Sequence, residues 1–234
     1  MTVDLLIFDC DGVLIDSEPV ASATFAKSLR RAGVNLSADD VHRRFTGLSE
    51  SESRRICADE FGLVDVDRVF SDWQAQIYGE FARSLLPMAG MTELVRSLPH
   101  RKCVASNSTM ERLRRSLGLF DLWSEFHPNI FSADMVRHPK PAPDLALLCA
   151  KQLGVEVERS VVIDDSAIGI QGAVAAGMRA IGFVDPADPR TGRHAVLEKA
   201  GASFVAEGAD ELAITINAIS PALVRRMPVT TLTG

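Results

Sequence analysis

A chain of 234 residues is long enough to bury a hydrophobic core without disulfide or metal staples, and it can hold one large domain or a core with a modest second one. Its 47% hydrophobic and 24% charged residues are the balance of an ordinary globular protein. The formal charge of -6 argues against a broad nucleic-acid surface, though not against a pocket for a small anion, where a metal and local amides set the field.

The four cysteines, Cys10, Cys57, Cys103 and Cys149, lie far apart with no zinc-ligand spacing, and read as reduced core residues of a cytoplasmic protein. The N-terminus lacks the basic and apolar regions of a signal peptide, and no run approaches the roughly 20 apolar residues that span a bilayer. A soluble chain, monomeric by default and without nucleic-acid or membrane partners, is the expectation.

In chain order, an apolar run at 4–8 predicts the first strand. The next 70 or so residues contain no comparable run and read as four helices, at 19–32, 38–45, 49–61 and 66–86, with Gly33, Gly47 and Gly62 at their ends. That stretch is too long for an ordinary loop, so a small helical cap domain over 17–86 is expected, inserted into an α/β core made of 1–16 and 87–234. Its hinges are placed near Asp16–Ser17 and at 86–90. Beyond it, strand runs at 102–105, 161–163, 179–184 and 203–206 alternate with helices at 110–117, 143–153 and 168–176. Continuous apolar strands separated by helices predict a doubly wound, Rossmann-like parallel sheet. Residues 221–234 read as a loosely held tail.

Polar residues stop these runs. The first strand ends in Phe8-Asp9-Cys10-Asp11-Gly12, the second in Ala105-Ser106-Asn107-Ser108, and the third in Ile163-Asp164-Asp165-Ser166. Ligands of open α/β sheets bind at the carboxyl ends of the strands. Adjacent carboxylates after an apolar strand are costly without a cation or donors nearby, and hard oxygen ligands suit magnesium. A strand-terminal Ser with free amides suits a phosphate oxygen. Lys140, between Pro139 and Pro141, presents an ammonium from a restricted backbone. Turns, helix N-caps and a solvated lysine explain each feature alone, and it is the joint pattern on one sheet rim that points to chemistry.

The segment Asp9-Cys10-Asp11-Gly12-Val13-Leu14-Ile15-Asp16-Ser17 resembles the DxDGxxxDS opening of the haloacid dehalogenase (HAD) superfamily. Val104-Ala105-Ser106-Asn107, Lys140-Pro141-Ala142-Pro143-Asp144, and Val162-Ile163-Asp164-Asp165-Ser166 with Gly169 and Ala175-Ala176-Gly177 resemble its second, third and fourth motifs, in order. The branch that looks nearest contains sugar-phosphate phosphatases and β-phosphoglucomutase, with the 6-phosphogluconate phosphatase type closest through residues 8–12 and Arg43-Arg44-Phe45-Thr46-Gly47.

The resemblance implies a magnesium-dependent phosphatase acting on a small phosphorylated metabolite, a sugar or sugar-acid phosphate. Asp9 would be the nucleophile forming a phosphoaspartate, and Asp11 the acid and then the base. Ser106 and Lys140 would stabilise the transferring phosphoryl group. Asp9, the carbonyl of Asp11, Asp164 and Asp165 would hold Mg2+. Asn107, Arg43, Arg44, Thr46 and Gly47 would bind substrate, with an arginine meeting a sugar-acid carboxylate.

Three alternatives compete. A mutase of this branch carries a histidine at the position of Ala21 and an arginine near Glu50, and this chain has neither. A dehalogenase would not need Asp11. A receiver-like phosphate-binding module would lack the helical insertion.

Overall fold

The computed structural model describes residues 2–46, 48 and 50–220. Six strands form one sheet: β1 (Leu5–Phe8), β2 (Arg101–Ser106), β3 (Ile130–Ser132), β4 (Ser160–Asp164), β5 (Arg179–Val184) and β6 (Phe204–Glu207). All neighbours are parallel, in the order β3-β2-β1-β4-β5-β6. The chain winds outward from β1 to β3, then returns to β4 on the other side of β1. The switch point therefore lies between β1 and β4, where Phe8 pairs with Ile163, and the doubly wound fold expected from the sequence is present.

Alternation along the strands sends side chains to both faces, and both are covered. Leu6, Phe8, Val104 and Ile163 pack on one side with Leu94 and Val95 of α5 (Met91–Ser97), Leu113 of α6 (Met110–Arg115) and Phe126 of α7 (Leu122–Phe126). Leu212 and Ile216 of α11 (Gly208–Ile219) complete that layer. Leu5, Ile7, Cys103 and Val162 pack on the other side with Leu145 and Cys149 of α8 (Asp144–Leu153), Ile170 of α9 (Ala167–Ala175) and Leu197 of α10 (Arg193–Ala200). Burial on both faces is why the strand runs read as continuously apolar. All four cysteines are buried and free.

Between β1 and α5 the chain makes α1 (Glu18–Arg31), α2 (Ala38–Phe45), α3 (Glu50–Asp59) and α4 (Val66–Ser84). These helices carry a cluster of their own, with Phe25, Leu29, Val41, Phe45, Cys57 and Phe70 buried together. The Phe25 ring meets those of Phe45 and Phe70 edge-on, each at 5.1 Å. Ile77 and Phe81 of α4 instead join the sheet's core, so that helix ties the two clusters together. The outgoing and returning backbones pair, with Asp16 N–H donating to the Leu86 carbonyl at 3.0 Å and Met88 N–H to the Leu14 carbonyl at 3.0 Å.

Helices α5, α7, α10 and α11 were not singled out in the sequence, and two further elements differ from its expectation. The three-residue β3 is too short to show any alternation, although it pairs with β2 from Val104 to Ser106. The helix expected over 110–117 stops at Arg115, because Ser116 turns its hydroxyl back onto the Arg112 carbonyl (2.8 Å) and a 3-10 turn follows. The tail at 221–234 lies outside the described residues. Among the described residues no helix is long and apolar enough to cross a membrane.

Candidate active site

The switch point gathers the strand-terminal polar residues. Asp9 follows β1 directly, and Ser106 and Asp164 close β2 and β4. Lys140 reaches the same point from the loop before α8. Its ammonium lies 2.5 Å from Asp9 Oδ1 and 2.7 Å from Asp164 Oδ2. The loop is held in place by Asn107, whose amide nitrogen donates to the Lys140 carbonyl (3.0 Å) while its oxygen accepts from the Lys140 N–H (2.9 Å). With both ends of its amide on that backbone, Asn107 positions Lys140. Ser106 is buried and accepts the Ser108 N–H through its hydroxyl at 3.1 Å.

The four rim carboxylates have unequal surroundings. Burial, together with Asp164 and Asp11, raises the Asp9 carboxyl from 3.8 to about 7 against the pull of Lys140. Burial would raise Asp11 as well, but Arg112 and hydrogen bonds from Ser17 and Ser108 outweigh it and hold that carboxyl below the usual range. Ser17 donates to Oδ1 at 2.6 Å, Ser108 to Oδ2 at 2.7 Å, and Arg112 to Oδ1 at 3.2 Å. Asp164 is fully buried and accepts the Ser166 N–H and hydroxyl at 2.9 and 2.6 Å. Ser166 also caps α9 by accepting the Gly169 N–H. A Cβ on Gly169 would fall 1.8 Å from the Asp164 carboxylate, so only glycine lets this helix approach.

Asp165 is the carboxylate left over. No described residue donates to its carboxylate, which packs against Gly12, where φ is +78° and a Cβ would sit 2.7 Å away. Burial, then Asp164, Asp9 and Glu18, push the Asp165 carboxyl well above its ordinary value, with Arg193 opposing. Asp9 and Asp164 thus share one ammonium while Asp165 has none, and the uncompensated charge and all-oxygen donor set fit a small hard cation. Among the described residues no three metal-ligating side chains close around a single point, since the Lys140 ammonium stands between Asp9 and Asp164.

Beside Asp11 a cavity of about 200 Å³ opens among α1–α4, with Glu18, Phe25, Phe45, Thr46, Trp73 and Arg112 in its walls. Thr46 donates to Glu18 Oε2 at 3.0 Å. Arg43 and Arg44, expected to bind substrate, are not brought to this cavity. Arg43 pairs with Asp40 at 2.7 Å on its own helix, and Arg44 pairs with Glu60 and lies over the Phe61 ring at 4.9 Å. Gly47 lies outside the described residues. The cation beside the cavity is instead Arg112, which the sequence reading did not single out. No signal in the sequence set it apart from Arg114 and Arg115 on the same helix.

The haloacid dehalogenase-like hydrolase family model matches residues 6–183. The chain belongs to this family. It is 29% identical to the 6-phosphogluconate phosphatase of Escherichia coli (strain K12), over 80% of this chain and 84% of that protein. It is 31% identical to the fructose-1-phosphate phosphatase of the same organism, over 75% and 94%. A haloacid dehalogenase-like protein of unknown function from Agrobacterium tumefaciens, known by crystal structure, superposes with a TM-score of 0.81 at 33% identity, over 93% of this chain and 99% of that one.

Proposed function

We propose that this hydrolase is a magnesium-dependent phosphatase of phosphorylated carbohydrates that works through a phosphoaspartate at Asp9. The supporting observation is the set at the switch point, with Asp9 and Asp164 sharing the Lys140 ammonium at 2.5 and 2.7 Å and Asp11 alongside under three donors. The chemistry needs a nucleophile, an acid and base two residues away, and cations to receive the phosphoryl oxygens, and these residues supply each.

In the first displacement the Asp9 carboxylate attacks phosphorus, the bond to the leaving oxygen breaks, and Asp11 gives that oxygen a proton. An arriving phosphate dianion raises the proton affinity of Asp11, which loads it for this step. In the second, Asp11 takes a proton from water as the water attacks phosphorus, releasing inorganic phosphate and restoring Asp9. Ser106 and Lys140 face the charge that spreads over the phosphoryl oxygens. Asp9, the Asp11 carbonyl, Asp164 and Asp165 would hold Mg2+, which supplies positive charge against carboxylate–phosphate repulsion. In this reading residues 17–86 form the cap that excludes water and selects the leaving group, over a core of 1–16 and 87–234.

Phosphate release from a panel of phosphomonoesters, with and without magnesium, tests the proposal. Asp9→Asn, folded as judged by circular dichroism, should lose on the order of 10³-fold or more in kcat. Release that survives this substitution, or that needs no divalent cation, would refute it.

A further inference from the structure

The cavity beside Asp11 has polar as well as apolar walls. Trp73 stands on its wall against Phe25 and Phe70 at ring distances of 5.3 and 6.1 Å. Glu18 takes one donor, from Thr46 to Oε2, and no described residue donates to its second oxygen. An acceptor left open on the wall of a cavity is met by water or by a ligand. At about 200 Å³ the space is smaller than the several hundred of a drug-sized site, and suits a small metabolite.

The charges decide what kind. Arg112 spends its positive charge on Asp11 at 3.2 Å, and Glu18 stands as a carboxyl group on the wall. Arg43 and Arg44, the cations that could have met a substrate carboxylate, are paired elsewhere with Asp40 and Glu60. A second carboxylate placed here would face Glu18 with no free cation among the described residues lining the cavity. Hydroxyl groups suit the same wall, since they donate to Glu18 while the C–H faces of a carbohydrate lie on the aromatic rings.

We propose that Glu18 and Trp73 are specificity-determining residues that select an uncharged polyhydroxy leaving group and reject a sugar acid. This deepens the phosphatase reading and rests on it for the reacting end only. The rejection comes from an unpaired like charge in a buried place, and such mismatches discriminate more strongly than a missing contact.

The test compares two esters of one carbon skeleton, glucitol 6-phosphate and 6-phosphogluconate, which differ in the carboxylate at the far end. The parent should favour the glucitol ester by about tenfold or more in kcat/KM. Glu18→Gln, which keeps the shape and removes the charge, should narrow the preference to about threefold or less. Trp73→Leu removes the aromatic face and should lower kcat/KM for the glucitol ester about fivefold, with the change carried by KM. A parent preference for the acid, or a ratio that Glu18→Gln does not move, overturns the proposal.

A binding measurement separates this idea from the phosphatase reading. In Trp123→Phe, Trp73 is the remaining tryptophan, and its fluorescence reports the cavity without turnover. A response to free glucitol at concentrations where gluconate gives none supports the selection even if no ester is hydrolysed. An equal or stronger response to gluconate, or none to glucitol, overturns it whatever the catalytic result.

Discussion

Single residues at the rim divide into those whose partners are in place and those still owed one. Asp165 is the clearest of the second kind, a buried carboxylate beside Asp164 and Asp9 with no donor among the described residues. Without a cation this crowding destabilises the fold, because an acid whose proton affinity is raised on folding opposes folding once the pH is above its ordinary value. Asp165→Asn should therefore raise the metal-free melting temperature, by about 2–4 °C for each kcal/mol relieved in a chain of this size. The same substitution should shrink the rise in melting temperature that magnesium gives the parent. Differential scanning calorimetry with chelator and with magnesium measures both. A variant that melts lower than the parent in chelator would show that the Asp165 carboxylate stabilises the metal-free fold. Asn107 is of the first kind, satisfied at both ends by Lys140. Asn107→Ala should free the Lys140 loop, with kcat falling about tenfold or more and KM changing less, since the ammonium acts on charge that develops during transfer. A fall in kcat/KM carried by KM alone would assign Asn107 to substrate binding instead.

At the level of elements, helix α2 illustrates what local sequence can establish. Ser37 and Asp40 close a reciprocal capping box, the Asp40 N–H donating to the Ser37 hydroxyl at 3.0 Å and the Ser37 N–H to Asp40 Oδ2 at 3.1 Å. Ser37→Ala should cost about 1 kcal/mol by urea denaturation. A loss below a few tenths would show that the packing of Val41 and Phe45 holds the helix without its cap. Such chemistry is local, which is why the four inserted helices and every strand but β3 were legible as apolar periodicity and glycine stops. The rim was legible for a related reason: Asp after Phe8 and Asp after Ile163 contradict strand propensity, and a contradiction of that kind is visible without a structure. What was hidden depends on distant residues meeting. Arg112 lies 101 positions from Asp11, and nothing in the sequence distinguishes it from Arg114 or Arg115 on the same short helix. Arg43 and Arg44 looked available because a sequence does not show Glu60 and Phe61 lying beside Arg44. Short β3 escaped because three residues carry no period.

For the whole molecule, the relation between the inserted helices and the sheet rests on few polar contacts, and one of them should carry a pH dependence. Asp188, in the segment between β5 and α10, is nearly buried and sits opposite α2, its Oδ1 3.6 Å from His42 Nε2. Burial would raise its carboxyl, but hydrogen bonds from Arg190 and the charges of Arg190 and Arg193 outweigh burial and lower it. Arg190 donates from Nε at 2.9 Å and from its terminal nitrogen at 2.7 Å, and Arg193 both approaches Asp188 at 3.3 Å and donates to the Asp165 main-chain carbonyl. The sign follows from linkage. A carboxyl depressed in the folded state contributes stability above its unfolded value, about 3.9, and that contribution is lost as pH falls through the folded value. Asp188→Asn should thus be less stable than the parent at pH 7, by about 1–3 kcal/mol for the loss of charged hydrogen bonds. The gap should close as the pH is taken below about 4. Urea unfolding of both proteins at pH 7 and at pH 3 tests this. A gap that persists undiminished at pH 3 would assign the loss to packing or neutral hydrogen bonds, and the junction between α2 and the sheet would then owe nothing to the charge on Asp188. A gap that closes would mean that acid loosens this junction ahead of the sheet, since Asp188 there faces the inserted helices while the strands are held by apolar burial on both faces.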